Sequence, residues 1–131
     1  MSVELNHTIV HATDKAESAR FLAELLGLEP PIPFGPFLVV KTQNGVSLDF
    51  IDSGDQPVSS RHFAFLVSEP EFDAIFARMY ERGIGYWADP MGKQPNQINT
   101  HDGGRGCYFR DPSGHWLEII TRPYGGYAKQ A

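Results

Sequence analysis

Four side chains in this sequence have the types and settings to hold a divalent cation: His7, Asp49, His62 and Glu118. Each stands in a short, mainly apolar stretch, in NHTIV, GVSLD, RHFAF and GHWLE. A polar or charged group there needs a partner, and a metal ion is a partner that also brings function. Neutral imidazole suits iron, manganese, nickel or zinc, and carboxylate oxygen adds charge compensation. Two histidines and one acid leave positions open for water, substrate or dioxygen, whereas a fourth protein ligand leaves fewer. A single histidine on a strand is usually no more than a polar residue on a half-buried face. The argument for a metal is that the set repeats.

The repeat is internal. Gly45 precedes Asp49 by four residues and Gly114 precedes Glu118 by four. His7 and His62 each open a strand, and each strand leads into a capped amphipathic helix. The second acid closes GCYFRDPSGHWLE, which reads as strand, tight turn, strand, with Pro112 and Gly114 suited to the turn Asp111–Gly114.

The elements that must position these residues follow from period and punctuation. Residues 3–11 alternate as a strand, Thr8 and Val10 on one face and His7, Ile9 and His11 on the other. Asp14 and Glu17 form a capping box for a helix to about Leu26 that buries Phe21, Leu22, Leu25 and Leu26, and Gly27 ends it. Four prolines between Pro30 and Pro36 predict a stiff loop. Residues 37–41 and 46–51 form a hairpin through Gln43-Asn44-Gly45. After a polar link at 52–60, the strand 61–67 leads into a helix capped by Ser68 and Glu71. That helix carries the apolar stripe Phe72, Ile75, Phe76 and Met79 and closes at Gly83. Tyr86 and Trp87 form a short strand, 89–104 is a polar excursion, and strands 106–110 and 115–121 finish the second half. Cys107 is a core residue, and His115, beside the turn glycine, is expected to face solvent. The tail after Pro123 is expected to be loose or to dock on a neighbour. The polar four share one parity, so they face away from the helices and, if each sheet curves, line one cup.

Composition narrows the class. With 131 residues, 41% hydrophobic and 21% charged, the chain reads as one domain with a core of its own. The expected organisation is module one at about 3–52, module two at about 61–122 and a tail at 123–131. A net charge of −5 without a basic cluster argues against nucleic acid and anionic membrane surfaces as partners. One cysteine suits a reducing compartment, and no leader or spanning segment is read, so a cytoplasmic protein is expected.

The histidine strand and capped helix ending in LLGL, with DPSGHWLEI closing the second copy, resemble the vicinal oxygen chelate superfamily. It includes glyoxalase I, extradiol dioxygenases, fosfomycin-resistance thiol transferases, methylmalonyl-CoA epimerase and bleomycin-binding proteins. The resemblance runs from Val3 to about Arg122. It implies an α+β fold of two βαβββ modules forming a curved mixed sheet around a central cup, commonly in a homodimer. By position it implies His7, His62 and Glu118 as metal ligands and Asp49 where glyoxalase I has a glutamate ligand. Asp49 is then a ligand, a residue reaching the ion through water, or a general base. The dioxygenase branch further implies His101 as acid-base and Tyr108 beside the substrate. The expected function is a metal-dependent enzyme, glyoxalase- or dioxygenase-like, that activates an oxygen-bearing small molecule. The alternative is a metal-free binding protein of the bleomycin-resistance type.

Overall fold

The computed structural model describes residues 3–126. The chain forms two compact units, Met1–Ser60 with Asp111–Gly114, and Arg61–Arg110 with His115–Ala131.

In the first unit, β1 (His7–Ala12) buries Val10 and Ala12 and leaves His7, Ile9 and His11 exposed. The Asp14 carboxylate accepts the amides of Ala16 and Glu17, satisfying two free donors at the start of α1 (Lys15–Leu26). Gly27, at φ 70, supplies the left-handed residue that ends the helix. The helix buries Leu22 and Leu25 with the small residues Ser18, Ala19 and Ala23, whereas Phe21 and Leu26 stay half-buried. The face set against β3 (Phe37–Lys41) and β4 (Ser47–Asp52) is therefore made largely of small side chains. Each fully buried Leu on it contributes roughly 2–3 kcal/mol.

The sheet order is β1-β4-β3-β2, with β1 parallel to β4 and the other pairs antiparallel. The proline-rich stretch differs from the expected loop by containing a three-residue strand, β2 (Ile32–Phe34). Pro33 is tolerated because β2 is an edge strand, where an amide donor is not needed on the open side. The β3–β4 hairpin closes through Thr42 and Val46 with Gly45 at φ 85, as the Asn-Gly signal predicts. The turn Asp111–Gly114 belongs with this unit: Ser113 Oγ lies 3.0 Å from the Thr13 amide and 2.7 Å from Ser18 Oγ.

In the second unit, β5 (His62–Leu66) leads to α2 (Glu69–Glu81), then β6 (Gly106–Arg110) and β7 (Trp116–Ile120). The sheet order is β5-β7-β6, β5 parallel and β6 antiparallel to β7. The reciprocal capping box of Ser68 and Glu71 is present. Phe72, Ile75 and Met79 from the helix are buried, as are Cys107, Phe109, Leu117 and Ile119 from the strands. The expected strand at 86–87 is reduced to bridges from Trp87 to Tyr108 and to Pro95. It stops there because the Asp89 carboxylate turns the chain, accepting the amides of Lys93 and Gln94. The pattern βαβββ is thus complete in the first unit and becomes βαββ with a bridge in the second.

The expected exposure of His115 is also overturned. His115 is 1% exposed, not solvent-facing, and its Nδ1 accepts the Arg61 amide at 3.0 Å. It has the parity of Leu117 and Ile119, which puts it on the core face of the chain. No helix among the described residues is long and apolar enough to cross a membrane.

Candidate metal centre

Register brings the second unit's histidine and acid together. His62 stands opposite Trp116 and Ala64 opposite Glu118, so His62 and Glu118 are diagonal neighbours on one face of the β5–β7 pair. Such neighbours are about 7–8 Å apart at the backbone, a gap that a long side chain closes. His62 Nε2 lies 2.9 Å from Glu118 Oε1. That contact is a hydrogen bond, and it holds the imidazole and the carboxylate side by side. Nitrogen from imidazole with oxygen from a carboxylate is also a donor set that iron, manganese, nickel and zinc accept. On the chemistry of this donor set, the residues fit a divalent cation.

The two side chains differ in setting, with 44% of the His62 side chain exposed and only 1% of that of Glu118. A carboxylate removed from water needs every oxygen satisfied. Oε1 faces His62, and Oε2 accepts the hydroxyl of Tyr124 at 2.5 Å. Tyr108, directly opposite Glu118 on β6, places its hydroxyl 3.2 Å from that of Tyr124. Burial, then the hydrogen bond to Glu118, pushes the Tyr124 phenol well above its ordinary range, and burial does the same to Tyr108. Both remain protonated hydroxyls at neutral pH. Burial, with the nearby Glu118 charge, pushes the Cys107 thiol up to about 12, so it is a core group and not a nucleophile.

Around the pair the face is aromatic. The Trp116 ring lies 5.2 Å from that of Trp87 and 6.0 Å from that of Tyr108, with the Arg110 guanidinium 4.3 Å above it. The Trp116 indole nitrogen is buried and has no hydrogen-bond partner among the described residues.

The first unit assembles less. His7 stands opposite Ser47 and Ile9 opposite Asp49, so His7 and Asp49 also share a face. Their side chains take local partners: His7 Nδ1 lies 2.8 Å from Asn6 Oδ1, and Asp49 accepts the Ser47 hydroxyl at 2.9 Å. His101 is exposed on a 3₁₀ turn, His101–Gly103, that packs against a second such turn, Tyr124–Gly126. Among the described residues no three His, Cys, Asp or Glu side chains gather as a metal-holding group. The structure therefore brings together His62, Glu118 and Tyr108 from the expected set and adds Tyr124, which sequence reasoning placed in a tail either loose or docked on a neighbour. Only its place six residues beyond Glu118, behind Pro123, hinted at a return towards the acid.

Comparison with known proteins bears on the family and the fold. The family model described as the Glyoxalase/Bleomycin resistance protein/Dioxygenase superfamily matches residues 4–119. The solved structure of "Oxidase ChaP-H1" is 63% identical, with a TM-score of 0.92 over 95% of this chain and 100% of that one. "Oxidase ChaP-H2" is 58% identical, with a TM-score of 0.93 over 97% of this chain and 100% of that one. "Metallothiol transferase FosB" of Shouchella clausii (strain KSM-K16) is 30% identical over 122 residues, 89% of this chain and 79% of that protein.

Proposed function

This chain belongs to the glyoxalase/bleomycin resistance protein/dioxygenase superfamily, and within it we propose a metal-dependent oxidase of a small, oxygen-bearing molecule. The observation that carries the reading is the His62–Glu118 pair, 2.9 Å apart with the carboxylate sunk out of solvent. The two relatives above half identity both bear the name oxidase, which favours oxygen chemistry over the family's other reactions. His62 and Glu118 would hold the ion, with His7 as the expected third ligand and Asp49 as ligand or base. A metal bound there supplies a Lewis acid and an open position for oxygen or substrate. Glu118 holds its orientation through Tyr124, and His62 stays reachable from solvent. Tyr108, protonated and beside the carboxylate, directs its proton to Tyr124 and leaves its oxygen free to accept a hydrogen bond from a substrate hydroxyl. His101 is the proposed acid-base group. A homodimer and a cytoplasmic location are part of the same reading.

A second reading has a specific support. The relative named a metallothiol transferase shares the fold at 30% identity, so thiol transfer at the same centre is the competitor. Elemental analysis of protein purified without chelator, with oxygen uptake on catechols and hydroquinones, separates the cases. Stoichiometric iron, lost in His62→Ala, together with substrate-dependent oxygen uptake supports the oxidase. Manganese with thiol consumption on an electrophile favours the transferase. Protein that neither carries nor takes up metal ends both readings and leaves the metal-free binding protein.

A further inference from the structure

We propose that Tyr124 is a positioning residue that holds Glu118 as a one-oxygen ligand, its hydroxyl occupying Oε2 so that only Oε1 is presented beside His62. This rests on the reading of His62 and Glu118 as a metal pair. The two oxygens of the carboxylate are divided between partners: Oε1 at 2.9 Å from His62 Nε2, and Oε2 at 2.5 Å from the Tyr124 hydroxyl that donates to it. Glu118 is 1% exposed, so water does not compete for Oε2. Tyr124 is 52% exposed, which means its ring buries little while its hydroxyl is used fully. A tyrosine kept for packing has the opposite distribution. With its hydroxyl donating to Glu118, the Tyr124 oxygen can accept from Tyr108, 3.2 Å away, so a chain of two phenols ends on the carboxylate.

The placement of Tyr124 is built by backbone and not by chance. As the chain leaves β7, Thr121 is tied to Arg105 on both sides, its amide donating to the Arg105 carbonyl at 2.9 Å and its hydroxyl accepting the Arg105 amide at 2.8 Å. Gly104 allows this approach, because a Cβ there would lie 2.6 Å from Thr121 Oγ1 and 2.9 Å from Arg122 Cγ. The turn Tyr124–Gly126 then rests on the turn His101–Gly103. A carboxylate held at one oxygen leaves coordination positions free, whereas one free to swing can chelate with both oxygens and occupy an extra position.

The test is Tyr124→Phe in the full chain, with zinc affinity measured by competition with a chromophoric chelator and cobalt(II) binding followed by visible absorption. Partners of ligands typically contribute roughly 10–100-fold to metal affinity, so a loss of about tenfold is expected. The cobalt(II) band should weaken as the released oxygen raises the coordination number, and the thermal midpoint of the metal-free protein should fall, because Oε2 is left buried without its donor. Tyr108→Phe, which removes the hydroxyl behind Tyr124, should shift both readouts in the same direction by a smaller factor. If both variants match the wild type in affinity and spectrum while His62→Ala loses the metal, the positioning role is wrong and the metal pair stands. If the wild type binds neither zinc nor cobalt(II), the metal pair and the positioning role fall together.

Discussion

In both units the histidine strand runs parallel to the acid strand, and in both the histidine stands opposite the residue two before the acid. His7 faces Ser47 with Asp49 beyond, and His62 faces Trp116 with Glu118 beyond. The backbone register is the same, yet only the second unit joins its pair. Part of the difference is one methylene, since Glu118 reaches its diagonal neighbour and Asp49 is shorter. The rest lies in the intervening residue. Ser47 donates to Asp49 and gives it a near partner, whereas Trp116 offers Glu118 none, and Glu118 is buried. A shared register therefore prepares both sites, and side-chain length with burial decides which one forms.

The sharpest way to break this comparison is to remove each acid. Glu118→Ala should lower metal affinity by more than about 100-fold, beyond what a partner of a ligand supplies, and Asp49→Ala by at most roughly tenfold. Equal losses, measured by competition titration, would show that the first unit contributes a full ligand despite its local hydrogen bond.

Two glycines test how the units are built. Gly104→Ala in the second unit should cost about 1–3 kcal/mol in urea unfolding, because its methyl group would overlap Thr121 and Arg122. Gly45→Ala in the first meets nothing within 4 Å, and its cost, about 1 kcal/mol, comes from holding φ at +85°. A larger loss at Gly45 would mean that the hairpin, and not the exit from β7, is the tighter spot. Helix caps give a smaller effect still: Ser68→Ala and Asp14→Ala should each cost about 1 kcal/mol or a little less. Ser68 should cost the more, because its cap is reciprocal with Glu71 and that of Asp14 is one-sided.

The mildest perturbation is alkaline pH. The cysteine and all five tyrosines lie after residue 61. The Cys107 thiol titrates at about 12 in the fold against 9.0 for an ordinary thiol, and the Tyr108 and Tyr124 phenols are also raised. The folded state therefore holds protons that the unfolded chain releases. This contribution to stability is complete below the unfolded value and is lost as pH rises from about 9 to about 12. Hydrogen exchange should show β6 and β7 losing protection before β1 and β4. Simultaneous loss, or loss beginning in the first unit, would contradict the assignment.

How much of this was legible in the chain depends on how local the cause is. The capping box at Ser68, the left-handed Gly27 and the Asn-Gly hairpin act over a few residues, and the sequence names them correctly, whereas at Asp14 it names the cap but not its one-sidedness, since Glu17 does not return a bond. Period-2 alternation likewise places His7 with Ile9, and His62 with Ala64, on the faces that stay exposed, because side-chain parity along a strand is geometric. The strand in the proline-rich stretch was missed because only the sheet order reveals an edge. His115 was misread because the turn beside it suggested solvent, although its parity with Leu117 already pointed inward.

What the sequence by itself determined is the doubled histidine-and-acid strand, its helices and the family to which it belongs. What only the tertiary structure decided is that His62 and Glu118 meet, that Tyr108 lies opposite the acid and that Tyr124 returns to it. These contacts depend on the register between strands 56 residues apart and on the path of a chain after its last strand. No short-range preference encodes either, because a slip of one residue would leave every propensity intact and turn Glu118 into the other face.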